Sequence, residues 1–264
     1  MRKVAGFFLA VLLGIAGRVG AQAPAQSPAQ SGASTAPKTG TAAKTSRVPA
    51  RAYDRALLRP ALLVAKAPDS YQVKFDTTRG EFTVTVTRAW APIGADRFYN
   101  LVRHHFYDNA TIFRVVPGFV AQFGLSAYPP VSAAWSKANI KDDAVTQSNK
   151  RGYLTFATAG PNTRTTQIFI NLKDNVRLDT MGFAPFAVVD EKGMNVVEMF
   201  YDQYGDGAGI DQEQIEKQGK PYLDKGWPKL DTIKSATLVG AAAAPPVKPT
   251  GTSKTAAPAA KKPQ

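Results

Sequence analysis

Cysteine is absent from all 264 residues, and histidine occurs only twice. The first absence excludes disulfides, thiol nucleophiles and every cysteine-based metal site, so the fold must rest on a sizeable core. The second removes most routes to general acid–base or zinc chemistry. His104 and His105 are adjacent, point in different directions on a helix, and lack an HExxH spacing. Their expected place is the C-terminus of a helix, where they complement its dipole. There is no G-x-S-x-G elbow, P-loop or dinucleotide fingerprint. No cofactor and no metal are expected. The paired acids Asp142-Asp143 and Asp190-Glu191 read as solvated loop residues.

Long apolar runs are also scarce. The one present, Val4 to Ile15, follows Arg2 and Lys3 and precedes the small residues Val19-Gly20-Ala21. This pattern predicts a secretory signal over 1–21, cleaved after Ala21 in preference to Ala23, with an uncleaved anchor as the alternative. The chain is expected to be exported, periplasmic or secreted.

Acidic residues are few at the ends, and this locates the net charge of +13. Thirteen of the 33 basic residues, but only one of the 20 acidic ones, lie outside 61–239, leaving that segment at +1. Nucleic-acid binding by a folded part is therefore unsupported. The basic ends are expected to make weak contact with anionic envelope surfaces. Residues 22–60 form an Ala/Pro/Lys/Arg linker and N-terminal extension, and Leu57, Leu58, Leu62, Leu63 and Val64 of 51–66 are expected to dock on the domain. Residues 240–264 form a disordered basic tail. One domain, 61–239, remains, and a monomer is expected.

That domain opens with YQVKFDTTRGEFTVTVT (71–87), an alternating pattern that predicts a hairpin turning at Thr77–Gly80. A helix follows from Pro92, with Phe98, Leu101 and Val102 on one face. Short strands are predicted at 110–116, 119–123, 153–157, 167–172, 184–190 and 230–239. A second helix is predicted from Gly193 to about Tyr204, and 204–229 reads as a long polar connection. The fold class is mainly β, an antiparallel barrel or sandwich capped by helices.

Two stretches do not read as plain strands. In TIFRVVPGFVAQFG (111–124) an arginine interrupts β-branched and aromatic residues. A guanidinium cannot shed its charge, so Arg114 snorkels, forms an ion pair, or serves as a donor at the mouth of an apolar pocket. In GYLTFATAGPNTRTTQIFINL (152–172) Gln167 precedes an apolar strand, behind a sharp turn at Ala159–Asn162.

Taken together the two stretches resemble the cyclophilin family of peptidyl-prolyl cis/trans isomerases. They match its F-x-R-V-I-P-x-F-x-x-Q-x-G pattern and, in order, its G-x-L-x-x-A-x-x-G-P-N-T-x-x-x-Q-F-F-I pattern. YDNATIFRVV, LDTMGFAPFAVV and GMNVVEMF extend the likeness over roughly 71–239. The resemblance implies an eight-stranded antiparallel β-barrel with a helix over each open end and the site on its outer wall. It implies that Arg114 is the catalytic donor and that Phe119, Val120, Phe169, Leu178 and Phe183 form the proline pocket. Gln122 would orient Arg114, the Thr158 backbone would hold the residue before proline, and Ala157 and Gln167 would line the adjoining groove. The substrates implied are proline-containing unfolded or partly folded polypeptides.

The chain also departs from the family. Val120 replaces a frequent methionine, Thr158 a frequent asparagine, and Phe113 and Phe183 histidines. Arg177 stands where many members carry a tryptophan that packs on cyclosporin. The rival reading is a cyclophilin-fold binding or chaperone module with little turnover. A surface-adhesion protein is a further alternative that draws only on the basic ends.

Overall fold

A computed structural model describes residues 53–240 of the chain. The expected signal, most of the expected linker and the expected C-terminal tail lie outside the described residues.

Eight strands form one antiparallel sheet in the order β3-β4-β6-β5-β7-β2-β1-β8. They are β1 (Ser70–Thr77), β2 (Gly80–Thr87), β3 (Arg114–Val116), β4 (Val120–Phe123), β5 (Tyr153–Phe156), β6 (Ile168–Asn171), β7 (Pro185–Val189) and β8 (Ile233–Leu238). The hairpin reading of 71–87 holds. Val73 pairs with Val84 and Phe75 with Phe82, whose rings stack 4.9 Å apart. The turn is tied by Thr77 Oγ1 donating to the Gly80 carbonyl at 2.7 Å.

The two outermost strands meet through the residues just before them. Ile112 N–H donates to the Asp231 carbonyl at 2.9 Å, and Ile233 N–H to the Ala110 carbonyl at 2.8 Å. This antiparallel bridge curls the sheet toward closure and covers edges that would otherwise stand open. It also explains why β3 is only three residues long, shorter than the predicted 110–116. Residues 110–112 pair with the start of the closing strand instead.

Period-2 burial fills the interior. Val73, Phe75, Val84, Val86, Leu154, Ile168, Ile170 and Ala236 are wholly enclosed. Helix α1 (Pro92–Arg103) adds Phe98, Leu101 and Val102 to this core. The first two of these helical side chains are also inaccessible to solvent.

The number of helices departs from the two expected. Among the described residues three more are present: α2 (Pro129–Trp135), in a stretch assigned no element, and α4 (Gln212–Gln218) and α5 (Lys220–Gly226), in the segment read as a polar connection. Each has only seven residues and one or two apolar anchors: Val131 and Trp135, Ile215, and Leu223. Such a pattern is too sparse to register as amphipathic. The helix expected from Gly193 is α3 (Glu191–Val197), which starts earlier because the Asp190 carboxylate caps it through Gly193 N–H at 2.5 Å. It also ends earlier, and Tyr201 N–H instead donates to Asp231 Oδ2 at 2.7 Å.

The reading of Asp142-Asp143 as solvated is wrong for Asp143, which is buried. The N-cap of α1 is Ala91, which offers no capping side chain. Asp143 takes that part from a distant loop, accepting from Ile93 N–H at 2.9 Å and Gly94 N–H at 2.8 Å. The equally buried Arg164 neutralises it at 3.0 Å.

The N-terminal extension packs through Leu57 and Leu63, while Leu58, Leu62 and Val64, also expected to dock, are exposed. Leu57 is buried, its carbonyl accepts from Trp135 Nε1 at 2.8 Å, and Asn100 holds the Ala65 backbone on both sides.

Candidate active site

Strand register gathers the site. Arg114 pairs with Gln122, Gln122 with Phe169, and Phe169 with Thr155 across β3, β4, β6 and β5. Cross-strand partners share a face, so these four side chains form one row. Their chain neighbours Val115, Ala121, Ile170 and Leu154 point the other way, into the core. The row therefore lies on the outer wall, and its burial comes from the segments that cross over it.

Those segments complete a separate apolar cluster. Val120, Phe169 and Leu178 are buried, with Phe119, Ala157 and Phe183 packed against them. Phe169 and Phe183 meet edge to face, centroids 5.7 Å apart. Leu178 arrives on a 3-10 turn, Val176–Met181, and Phe119 on the turn between β3 and β4. Six of the ten residues singled out in the sequence thus form one apolar cluster.

The polar residues flank it. Arg114 Nη1 donates to Gln122 Oε1 at 3.1 Å, and Gln122 Nε2 to Gln167 Oε1 at 2.9 Å. The Arg114 guanidinium lies over the Phe119 ring, 5.6 Å from its centroid, and that of Arg177 approaches the same ring at 5.1 Å. Gly124 sets the Gln122–Gln167 spacing. At φ +109° it sits where a Cβ would meet the Thr166 carbonyl oxygen at 2.4 Å, so only glycine lets the two backbones approach this closely. Thr158 is the residue least engaged with the cluster. Its hydroxyl folds into its own turn, accepting from Gly160 N–H at 3.1 Å and lying 2.9 Å from Thr163 Oγ1.

Three features escaped the sequence reading. The first is a buried asparagine scaffold behind the pocket. Asn149 Nδ2 donates to the Phe183 carbonyl at 2.8 Å, and Asn175 Nδ2 to the Phe119 carbonyl at 2.9 Å. Asn171 and Thr155 join the two through further hydrogen bonds. Nothing in the local pattern distinguishes these asparagines from loop residues. The second is a satellite core in which Phe113 and Leu125 pack with Ile215 and Leu223 of α4 and α5. Phe113 is thereby the seat of the 204–229 segment. The third is Asp206 in that segment, whose carboxylate grips Arg114 through Nε and, at 3.2 Å, through Nη2.

A family model for cyclophilin-type peptidyl-prolyl cis-trans isomerases matches residues 72–219. The chain belongs to this family. A peptidyl-prolyl cis-trans isomerase of Acinetobacter baylyi is 34% identical over 179 residues, 66% of this chain and 94% of the relative. Peptidyl-prolyl cis-trans isomerase B of Escherichia coli is 31% identical over 150 residues, 53% of this chain and 90% of that protein. A solved cyclophilin-type isomerase of Cryptosporidium parvum superposes with a TM-score of 0.47 at 18% identity, covering 66% of this chain and 99% of its own.

The 3-10 turn that brings Leu178 to the cluster also carries a titratable strut. Burial alone would raise the Asp179 carboxyl, but hydrogen bonds from Ser148 Oγ (2.5 Å) and from the Asn149 side chain and backbone (both 2.8 Å) hold it below the ordinary carboxylate value. A depressed acid stabilises the fold above its unfolded pKa, about 3.9, and loses that contribution as pH falls through its folded value. Melting temperature should therefore fall from pH 5 to pH 3, and less steeply in Asp179→Asn. An unchanged slope in the variant would contradict the strut. Asp54 and Asp96 are depressed as well, burial being outweighed by hydrogen bonds that include His104 and Arg88, so part of the slope remains.

Proposed function

We propose that the protein accelerates rotation about X-Pro bonds in exported, unfolded or partly folded polypeptides, with Arg114 as donor to the prolyl nitrogen. The observation that supports this reading is that the Arg114 guanidinium lies over the Phe119 ring, beside the apolar cluster of Phe119, Val120, Phe169, Leu178 and Phe183 that we take as the proline pocket.

Amide resonance sets a rotation barrier of about 18–20 kcal/mol. As the bond twists, the nitrogen lone pair leaves conjugation and becomes a hydrogen-bond acceptor. A fixed cationic donor then stabilises the twisted form more than the planar one, while the apolar pocket holds the ring. This is differential binding of the transition state and needs no covalent step. Gln122 supports it by fixing one edge of the guanidinium, and Ala157 and Gln167 line the groove beside the ring. With the Thr158 hydroxyl engaged in its own turn, the backbone there is the part suited to hold the residue before proline.

A protease-coupled assay on short X-Pro peptides tests the reaction. Suppression of client aggregation without turnover would favour the binding-module alternative. Export rests on Arg2, Lys3, the apolar run and Ala21. It predicts a mature chain beginning at Gln22 in an extracytoplasmic fraction, and an unprocessed chain retained in the cytoplasm would overturn it. The basic ends should confer weak, salt-sensitive adhesion to anionic surfaces on a monomeric protein.

Arg177 separates substrate from inhibitor. It is exposed at the pocket rim beside Phe119, where a mobile stem and solvated head offer little flat apolar area. Peptide turnover should persist while cyclosporin inhibits weakly. Arg177→Trp should tighten inhibition roughly ten- to a hundredfold, about 1–3 kcal/mol, and change peptide turnover much less. Tight inhibition of the unmodified protein, unaltered by the substitution, would contradict this account.

A further inference from the structure

Arg114 begins a three-residue strand at the end of the sheet order, so only one neighbouring strand holds it. Its side chain is long and about a quarter exposed. Gln122 secures Nη1, and one hydrogen bond leaves a guanidinium free to swing about that contact. The opposite edge is closed by Asp206, whose two carboxylate oxygens take Nε–H and one Nη2 N–H. Side-on pairing of this kind fixes the plane of the fork as well as its position. Three of the five N–H groups are then engaged, leaving one on Nη1 and one on Nη2 for a substrate.

The segment that carries Asp206 is anchored independently of this contact. Tyr201 N–H is tied to Asp231, and Trp227 Nε1 donates to the Ala208 carbonyl at 3.1 Å. Ile210, Tyr222, Trp227 and Leu230 pack against the satellite core that contains Phe113, the residue next to Arg114. Gly219, at φ +69°, comes so close that a Cβ would meet the Ala127 carbonyl oxygen at 2.3 Å. The long connection is thus a small helical unit seated beside the catalytic strand.

We infer that Asp206 is a positioning residue for isomerisation: the 204–229 unit holds its carboxylate against Arg114 so that the guanidinium presents its free N–H groups to the pocket. The inference rests on the functional reading above.

Three chains, all full length, test it on one X-Pro peptide: Asp206→Ala, Arg114→Ala and the double variant. Misorientation of a donor is costly even when it remains present. Asp206→Ala should therefore lower kcat about tenfold with KM nearly unchanged and the melting temperature within a few degrees. In the Arg114→Ala background the same substitution should cost nothing further, since the group it orients is gone. The Arg114 Nε–H resonance should exchange slowly in the unmodified protein and rapidly in Asp206→Ala. A rise in turnover would show that the carboxylate competes with substrate, and would overturn the proposal. So would unchanged turnover, or an equal loss in the Arg114→Ala background. Absence of turnover in the unmodified protein would overturn the functional reading along with it.

Discussion

Arg114→Ala should lower kcat/KM for an X-Pro peptide at least about a hundredfold, the usual cost of removing one preorganised donor from a developing charge. The fold should survive. The backbone pairing of Arg114 with Gln122 does not depend on its side chain, and Gln122 keeps its bond to Gln167. Asp206, half exposed, can return to water. The far-ultraviolet circular dichroism spectrum should therefore match that of the unmodified protein. Arg114→Lys should also be poor. A single ammonium on a flexible stem cannot serve the Gln122 amide oxygen, both Asp206 oxygens and a substrate at once. Near-normal turnover in either variant, with an unchanged spectrum, would remove Arg114 from the mechanism.

Arg164→Leu is expected to have the largest effect on stability. Arg164 reaches Asp142 at 3.1 Å and Asp143 at 3.0 Å and donates to the Lys141 carbonyl as well. The side chains of Arg164 and Asp143 are 4% and 2% exposed, so neither has water to fall back on. Breaking such a pair strands a buried carboxylate, at a cost of about 3–5 kcal/mol. For a domain of this size that corresponds to a melting temperature lower by about 6–20 °C. Asp143→Asn added to Arg164→Leu should recover part of the loss. It removes the stranded charge, while its amide oxygen can still accept from the α1 N-terminus. A drop of less than about 2 °C in the single variant would show that the pair contributes little.

The contrast between these two arginines shows what could be read from the sequence. Arg114 stood out because it interrupts a run of β-formers and falls in a long motif. Seven of the nine residues read with it came from the same two stretches, which adjacent strands bring together, and Leu178 and Phe183 came from the LDTMGFAPFAVV that follows. The barrel strands were legible for the same reason: Val73, Phe75, Phe82, Val84 and Val86 alternate over a distance the eye can follow. Arg164 lies inside the second stretch without any such signal, and its partner Asp143 sits in a charged, polar segment that looks solvated. Asn149, Asn171 and Asn175 are polar residues whose burial depends on the path of the whole chain. Asp206 is 92 residues from Arg114, and its helices carry too few apolar residues to show a periodicity. Local pattern exposes what is repeated; single long-range polar contacts leave no trace in it.

The pairing of β1 with β8 governs when the barrel can finish folding. Val73 lies opposite Leu238, and Phe75 opposite Ala236, so the last strand made completes the first. At a synthesis rate of about 5–20 residues per second, the β1–β2 hairpin waits roughly 8–30 s for the roughly 150 residues that separate it from the end of β8. Hairpins themselves form in microseconds. For that whole interval one edge of β1 presents unpaired backbone groups, and its Val73 and Phe75 lack their final cover. A nascent chain with this topology spends most of its synthesis as an open sheet, at risk of pairing with another chain. Closure of the barrel has to wait for residues 231–238, which pair with both β1 and residues 110–112.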